Sequence, residues 1–201
     1  MPKEEFTDAI MLLKHDHREV EDLFSKFQKA SGKDKKWQLA QQICNELKVH
    51  AMIEEEIFYP AFEGKVDDDL YHEAYVEHDG AKVLINDIMA SGPEDEFFEA
   101  KVTVLCEEIQ HHVKEEEKPS DGFFAQARKA DVDLKEMRDR LMARKQELMQ
   151  HPSSKLRQLA ARASCAILLP RGRRATLTPA SASASPPSSR PAAARRSRPA
   201  A

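Results

Sequence analysis

Four stretches of this 201-residue chain repeat apolar residues every three or four positions, each stretch roughly 20 to 30 residues long and set off by a short break. That period places the apolar residues on one stripe of a helix, and the stripe must be covered by a neighbour. The first stretch, about Phe6 to Ala30, carries Ile10, Leu13, Val20, Phe24 and Phe27 and breaks at "SGKD". The second, about Asp34 to Phe62, turns Leu39, Ile43, Leu47, Ile57 and Phe58 inward. Pro60 ends or kinks its last turn, and Gly64 follows as a stop. The third covers about Asp68 to Ala90 and halts at "SGP". The fourth starts at about Glu94, with acids in the first turn where the helix dipole favours them, and ends near Lys118. A shorter helix over about Asp131 to Met149 follows, and no segment shows the period of a strand. Long helices joined by short loops run antiparallel to their neighbours. The expected fold is all-α: an antiparallel up-down four-helix bundle with a short extra C-terminal helix.

Charge divides the chain in two. Residues 1–150 hold 21 Lys and Arg against all 35 Asp and Glu, whereas residues 151–201 hold ten basic residues and no acid. Residues 6–150 are therefore expected to form the bundle with its appended helix, and 151–201 a basic Pro/Ser/Ala/Arg-rich disordered tail. Such a tail can touch polyanions without selectivity, and nothing points to a specific nucleic-acid partner. Cys44, Cys106 and Cys165 lie far apart with no CxxC spacing, which suits a reducing compartment better than a disulfide framework. The stretch "MPKEEFTDAIMLLKH" has no basic region leading into a signal-length apolar run, and no segment reaches the roughly 18 apolar residues of a membrane span. A cytoplasmic location is expected. The sequence sets no oligomeric state.

Each of the four long helices places one histidine on its apolar stripe. His17 lies four residues after Leu13 and three before Val20, and His50 lies three after Leu47. His78 lies three before Ala81 and seven before Ile85, and His112 three after Ile109. Glu54 and Glu116 each follow a histidine by four residues, one turn further along the same face. His111, by contrast, shares its face with Glu107, Glu108, Lys114 and Glu115 and belongs in water, while His15 falls on a boundary face. One inward histidine is usually a hydrogen-bonded core residue. Four of them with two inward glutamates are costly to bury uncompensated, and a metal centre compensates them. Neutral imidazoles and carboxylates suit iron, manganese or zinc. Six donors exceed the set of one tetrahedral zinc, and glutamates on two different helices suggest two ions bridged by carboxylates.

The segments "DHREVEDLF" (16–24), "HAMIEEEIFYPA" (50–61), "EHDGAKVLIND" (77–87) and "HHVKEEE" (111–117) resemble the bacterial hemerythrin-like, HHE cation-binding domains over about residues 6–150. The resemblance implies a non-haem di-iron centre ligated by His17, His50, Glu54, His78, His112 and Glu116, with the glutamates bridging two iron ions. It also implies a small ligand such as O2, NO or peroxide, or iron itself, bound for sensing, buffering or protection against oxidative and nitrosative stress. In one respect the chain departs from the family's oxygen carriers. They have a further histidine four residues after the one on the third helix, and here that place holds Lys82. The resemblance thus implies a centre one histidine short, with Tyr75, one turn before His78, as the further oxygen donor that the sequence offers. Reversible oxygen carriage is disfavoured. Neither glutamate precedes its histidine by three, so the E-x-x-H of ferritin-like oxidases is absent. A metal- and small-ligand-binding protein is favoured over an enzyme. The alternatives are a di-iron enzyme consuming peroxide or NO at the same site, and a helical interaction protein whose histidines pack without metal.

Overall fold

The computed structural model describes residues 6–150. The expected disordered tail, 151–201, lies outside the described residues. Helix α1 spans Ala9–Lys29, α2 Lys33–Ile53, α3 Asp68–Ser91, α4 Phe98–Glu117, α5 Phe123–Ala127 and α6 Leu134–Gln150, and no strand occurs among the described residues. Local chemistry sets most of these ends. The Asp8 carboxylate accepts from the Met11 amide at 2.9 Å and caps α1, and Asp67 caps α3 through the Asp69 and Leu70 amides. Gly92, at a positive φ of 74°, closes α3 by donating to the Ile88 carbonyl.

Three boundaries differ from expectation. The second helix does not run unbroken to Phe62. It widens into one π turn over Glu54–Phe58 and tightens into a 3-10 turn over Tyr59–Phe62. Pro60 is the cause: it has no N–H to donate, and in a regular helix its ring would meet the carbonyl four residues back. The fourth helix starts at Phe98 rather than Glu94, because Asp95 bonds the Phe97 amide at 2.8 Å and holds the preceding residues in turns. The appended helix starts at Leu134, where Asp133 caps the Lys135 and Glu136 amides. The short α5 was not foreseen.

α1 packs on α2, α2 on α3, α3 on α4 and α4 back on α1, which closes the bundle, while α6 lies along α1 and α2. The core has two apolar parts. One gathers Val20, Phe24, Ile43, Leu47, Ile85 and Leu105; the other gathers Ile10, Leu13, Ile53, Phe58, Phe62 and Leu141. Each buried large side chain contributes roughly 1.5–3 kcal/mol, so both parts are strongly held. Along α1, Leu13 belongs to one part and Val20 to the other, with His17 between them; along α3, His78 stands likewise between Ala74 and Ala81. The four inward histidines therefore lie in one polar layer across the bundle, sandwiched between apolar halves.

Candidate metal centre

Within that layer the six inward side chains form a closed ring. The Nε2 atoms of His17 and His50 lie 3.1 Å apart, and those of His78 and His112 3.2 Å apart. Glu54 links the two pairs on one side, its Oε2 lying 3.2 Å from His50 Nε2 and 3.3 Å from His78 Nε2. Glu116 links them on the other, with Oε2 at 3.4 Å from His17 Nε2 and 3.6 Å from His112 Nε2. All six are buried. The donor atoms fall into two compact groups, His17, His50, Glu54 and Glu116 in one and Glu54, His78 and His112 in the other, with Glu54 common to both.

Glu54 Oε1 and Glu116 Oε2 have no hydrogen-bond partner although they are fully buried. Leaving such an atom unsatisfied costs about 1–3 kcal/mol, more for a charged group, and a cation bound by these carboxylates would offset that cost. The electrostatics agree. Burial alone would raise the Glu54 pKa, yet His50 and His78 hold it well below the usual carboxylate range. Burial would lower that of His50, but Glu54 and Asp16 push it up to about 10; Glu54 and Glu55 likewise raise His78 to about 9. The Glu54 carboxylate is held ionised, and without metal the surrounding acids draw protons onto His50 and His78, protons that a bound cation would displace.

A second ring, missed from the sequence, surrounds the first. Each histidine turns Nε2 inward and Nδ1 towards a carboxylate on another helix. His17 Nδ1 lies 2.8 Å from Glu117, His78 Nδ1 2.9 Å from Glu55 and His112 Nδ1 2.8 Å from Glu77. His50 Nδ1 faces Asp16 at the longer distance of 3.6 Å. Such contacts fix the ring orientation and leave the Nε2 lone pair free for a metal. Each outer acid adjoins an inner donor in the chain but serves the next helix round: Asp16 precedes His17, Glu55 follows Glu54, Glu77 precedes His78 and Glu117 follows Glu116. That adjacency was the legible signal.

Tyr75 is placed otherwise than its helical position suggested. Its hydroxyl meets that of Tyr71 at 3.5 Å, and its ring packs on Tyr59 with centroids 5.3 Å apart. Tyr59 is the tyrosine at the centre. Its hydroxyl donates to Glu116 Oε1 at 2.9 Å and stands 3.4 Å from both Glu54 Oε2 and His78 Nε2. Burial, with the charges of Glu116 and Glu54, raises its pKa well above the usual value, so it donates as a neutral phenol. Tyr59→Phe is expected to keep the fold but lose about 1–3 kcal/mol of stability in urea unfolding, because Glu116 is left short of a donor. An unchanged midpoint would mean that this bond is not made in solution.

Lys82 neither reaches free into solvent nor points at the inner ring. Its ammonium lies 2.6 Å from Glu55 Oε1 and 3.1 Å from Asp79, with only 13% of the side chain exposed. It grips the acid that orients His78. His111 stays largely in water, as expected, with 59% of its side chain exposed, and its Nε2 lies 3.3 Å from Glu77. The unforeseen α5 closes one face: Phe124 stacks on His17 at 5.7 Å, and Phe123 lies against Tyr59 at 5.1 Å.

A helical bundle with a buried His/Glu layer of this geometry defines a class of metal-binding protein. Residues 8–119 match the model of the hemerythrin HHE cation binding domain, and the chain belongs to that family. The crystal structure of a hemerythrin HHE cation binding domain-containing protein from Mycobacterium kansasii superposes with a TM-score of 0.63 at 21% identity, covering 79% of this chain and 97% of that one. A DNA nickase of Nostoc sp. (strain PCC 7120) is 30% identical over 106 residues, which amount to 53% of this chain and 30% of the nickase. The chain thus spans less than a third of that relative. No helix among the described residues is long and apolar enough to cross a membrane.

Proposed function

We propose that the layer holds two non-haem iron ions, ligated by His17, His50, Glu54, His78, His112 and Glu116, and that the protein uses them to bind a small ligand such as O2 or NO, in sensing, buffering or stress protection. The observation that carries this is the closed inner ring, with carboxylates joining two histidine pairs and two buried carboxylate oxygens left without partners. Manganese or zinc would meet the same donors. Bound iron supplies reversible one-electron chemistry and open coordination positions. The chain supplies the rest. The outer acids orient the imidazoles, Tyr59 holds a proton at Glu116 Oε1, and two apolar core halves keep bulk water away.

A cavity of about 30 Å³ adjoins the four histidines, its wall mostly apolar, with Val20, Leu47 and Ile85, but with Asp16, Lys48 and Lys82 also on it. It has room for one water-sized molecule, which favours a diatomic gas over a bulky substrate. The nickase activity named for the Nostoc relative forms no part of this proposal, since the match covers so little of that protein. The buried free thiols Cys44 and Cys106 suit the reducing cytoplasm proposed as its location.

Lys82 stands where a fifth histidine would complete a carrier's donor set, and it is committed to Glu55. Protein loaded with ferrous iron and mixed with oxygenated buffer in a stopped-flow spectrometer is therefore expected to oxidise within minutes. Removing oxygen should not restore the starting spectrum. A spectrum that reverses fully and repeatedly would make the protein an oxygen carrier and Lys82 no obstacle.

A further inference from the structure

The outer ring is uneven in one place. Two of its acids are gripped by cations from within the four-helix bundle, Glu55 by Lys82 and Glu117 by Arg18 at 2.6 Å and Lys14 at 3.3 Å, while Glu77 has the largely exposed imidazole of His111 beside it. The fourth, Asp16, is held from outside the bundle. Lys145 of α6 places its ammonium 2.7 Å from Asp16 Oδ1, with Glu19 and Glu46 each 3.9 Å away. Asp16 is 3% exposed and Lys145 12%, so the pair is shielded from solvent. On the other side of the same carboxylate, Oδ2 faces His50 Nδ1 at 3.6 Å, the longest of the four outer contacts, and neither atom has another partner.

One residue earlier, Arg144 makes a two-pronged contact with Glu56, at 2.7 Å and 3.0 Å. Glu56 belongs to the π turn that carries Glu54 and Glu55. Two successive cations of one helix thus hold the acid facing His50 and the turn presenting Glu54. Met137, Leu141 and Leu148 are buried on the same face of that helix, between the two cations, and fix its register.

We infer that α6 is a latch on one half of the metal centre: Lys145, acting through Asp16, is the positioning residue for His50 and sets how tightly the His17–His50 half keeps its ion. The inference rests on the metal-centre proposal above. Without Lys145, the Asp16 carboxylate is free to rotate from His50, whose ring then loses its preferred orientation. The His78–His112 half, oriented by Glu55 and Glu77, has no such tie to Lys145. Loss of an outer-layer contact of this kind weakens metal affinity roughly tenfold to a hundredfold.

The test is iron release from full-length protein to a ferrous chelator under anaerobic conditions, followed as two kinetic phases. Lys145→Met should speed one phase at least tenfold and leave the other unchanged, and Lys145→Arg should restore the slow rate. Lys82→Met should speed the opposite phase. Should Lys145→Met fold poorly, the double variant Asp16→Asn/Lys145→Met removes both charges together and should show the same single fast phase. Wild-type rates in both phases of these Lys145 variants would overturn the latch alone. A wild-type protein that takes up no metal would overturn the metal centre and the latch with it.

Discussion

Glu54→Ala is expected to empty both halves of the centre at once. Glu54 is fully buried, and its Oε2 lies within 3.3 Å of a histidine nitrogen from each pair. No other residue belongs to both donor groups. Its removal deletes one of the two carboxylate links between the histidine pairs, the closer one, and strands the positive charge that His50 and His78 carry in the metal-free state. Breaking a buried charge pair by removing one partner costs about 3–5 kcal/mol, which lowers the thermal midpoint on the order of 10 °C for a domain of this size. Metal analysis should find the variant nearly empty, and calorimetry should find it folded but weakened. His111→Ala is the control. Its contact with Glu77 is mostly in water, where such pairs contribute about 0–1 kcal/mol, so metal content and midpoint should stay near wild type. Equal metal loss in both variants would contradict the division into inward and outward histidines.

The second large effect is a pH dependence that metal loading removes. In the metal-free protein the His50 and His78 pKa values are raised to about 10 and about 9. A raised folded-state value stabilises fully below the unfolded value near 6.5 and loses that contribution as pH rises through 9 to 10. Glu54 is depressed, so its contribution is present above the unfolded value near 4.5 and lost as pH falls through the folded one. The metal-free midpoint should accordingly be highest in the mildly acidic range and decline steadily from pH 7 to 10. Metal ligation requires neutral imidazoles, so metal displaces those protons and binds more tightly as pH rises. Loaded protein should keep its midpoint over the same range, and metal addition at pH 7 should release protons into unbuffered solution. Parallel profiles for the two forms would show that metal and protons do not share these nitrogens.

Most of the bundle was legible because burial on one face leaves a 3.6-residue trace in the chain, and that trace also separated His112 from His111. It failed where the backbone leaves that period. A π turn adds a residue per turn, so Tyr59 comes round to the face of Glu54 five positions on, and the Tyr59 amide bonds the Glu54 carbonyl. Regular spacing instead put Ile57 inward, and it is only half-buried. Tyr75 looked like the central tyrosine for the same reason: its own helix is regular, and the shift that brings Tyr59 in happens on a different one. The outer acids escaped for another cause. They sit beside the inner donors but act across to neighbouring helices, and helical spacing describes only what lies on one helix. α5 is too short for periodicity to reveal.

Equilibrium uptake of ferrous iron by purified, untagged protein, under anaerobic conditions at neutral pH, tests the central claim most directly. The inner ring of four histidines and two linking glutamates predicts saturation at about two iron ions per chain, falling to nearly none in Glu54→Ala. Saturation at a single ion would contradict the dinuclear centre, and no uptake at all would leave the buried histidines and glutamates as a packed polar layer.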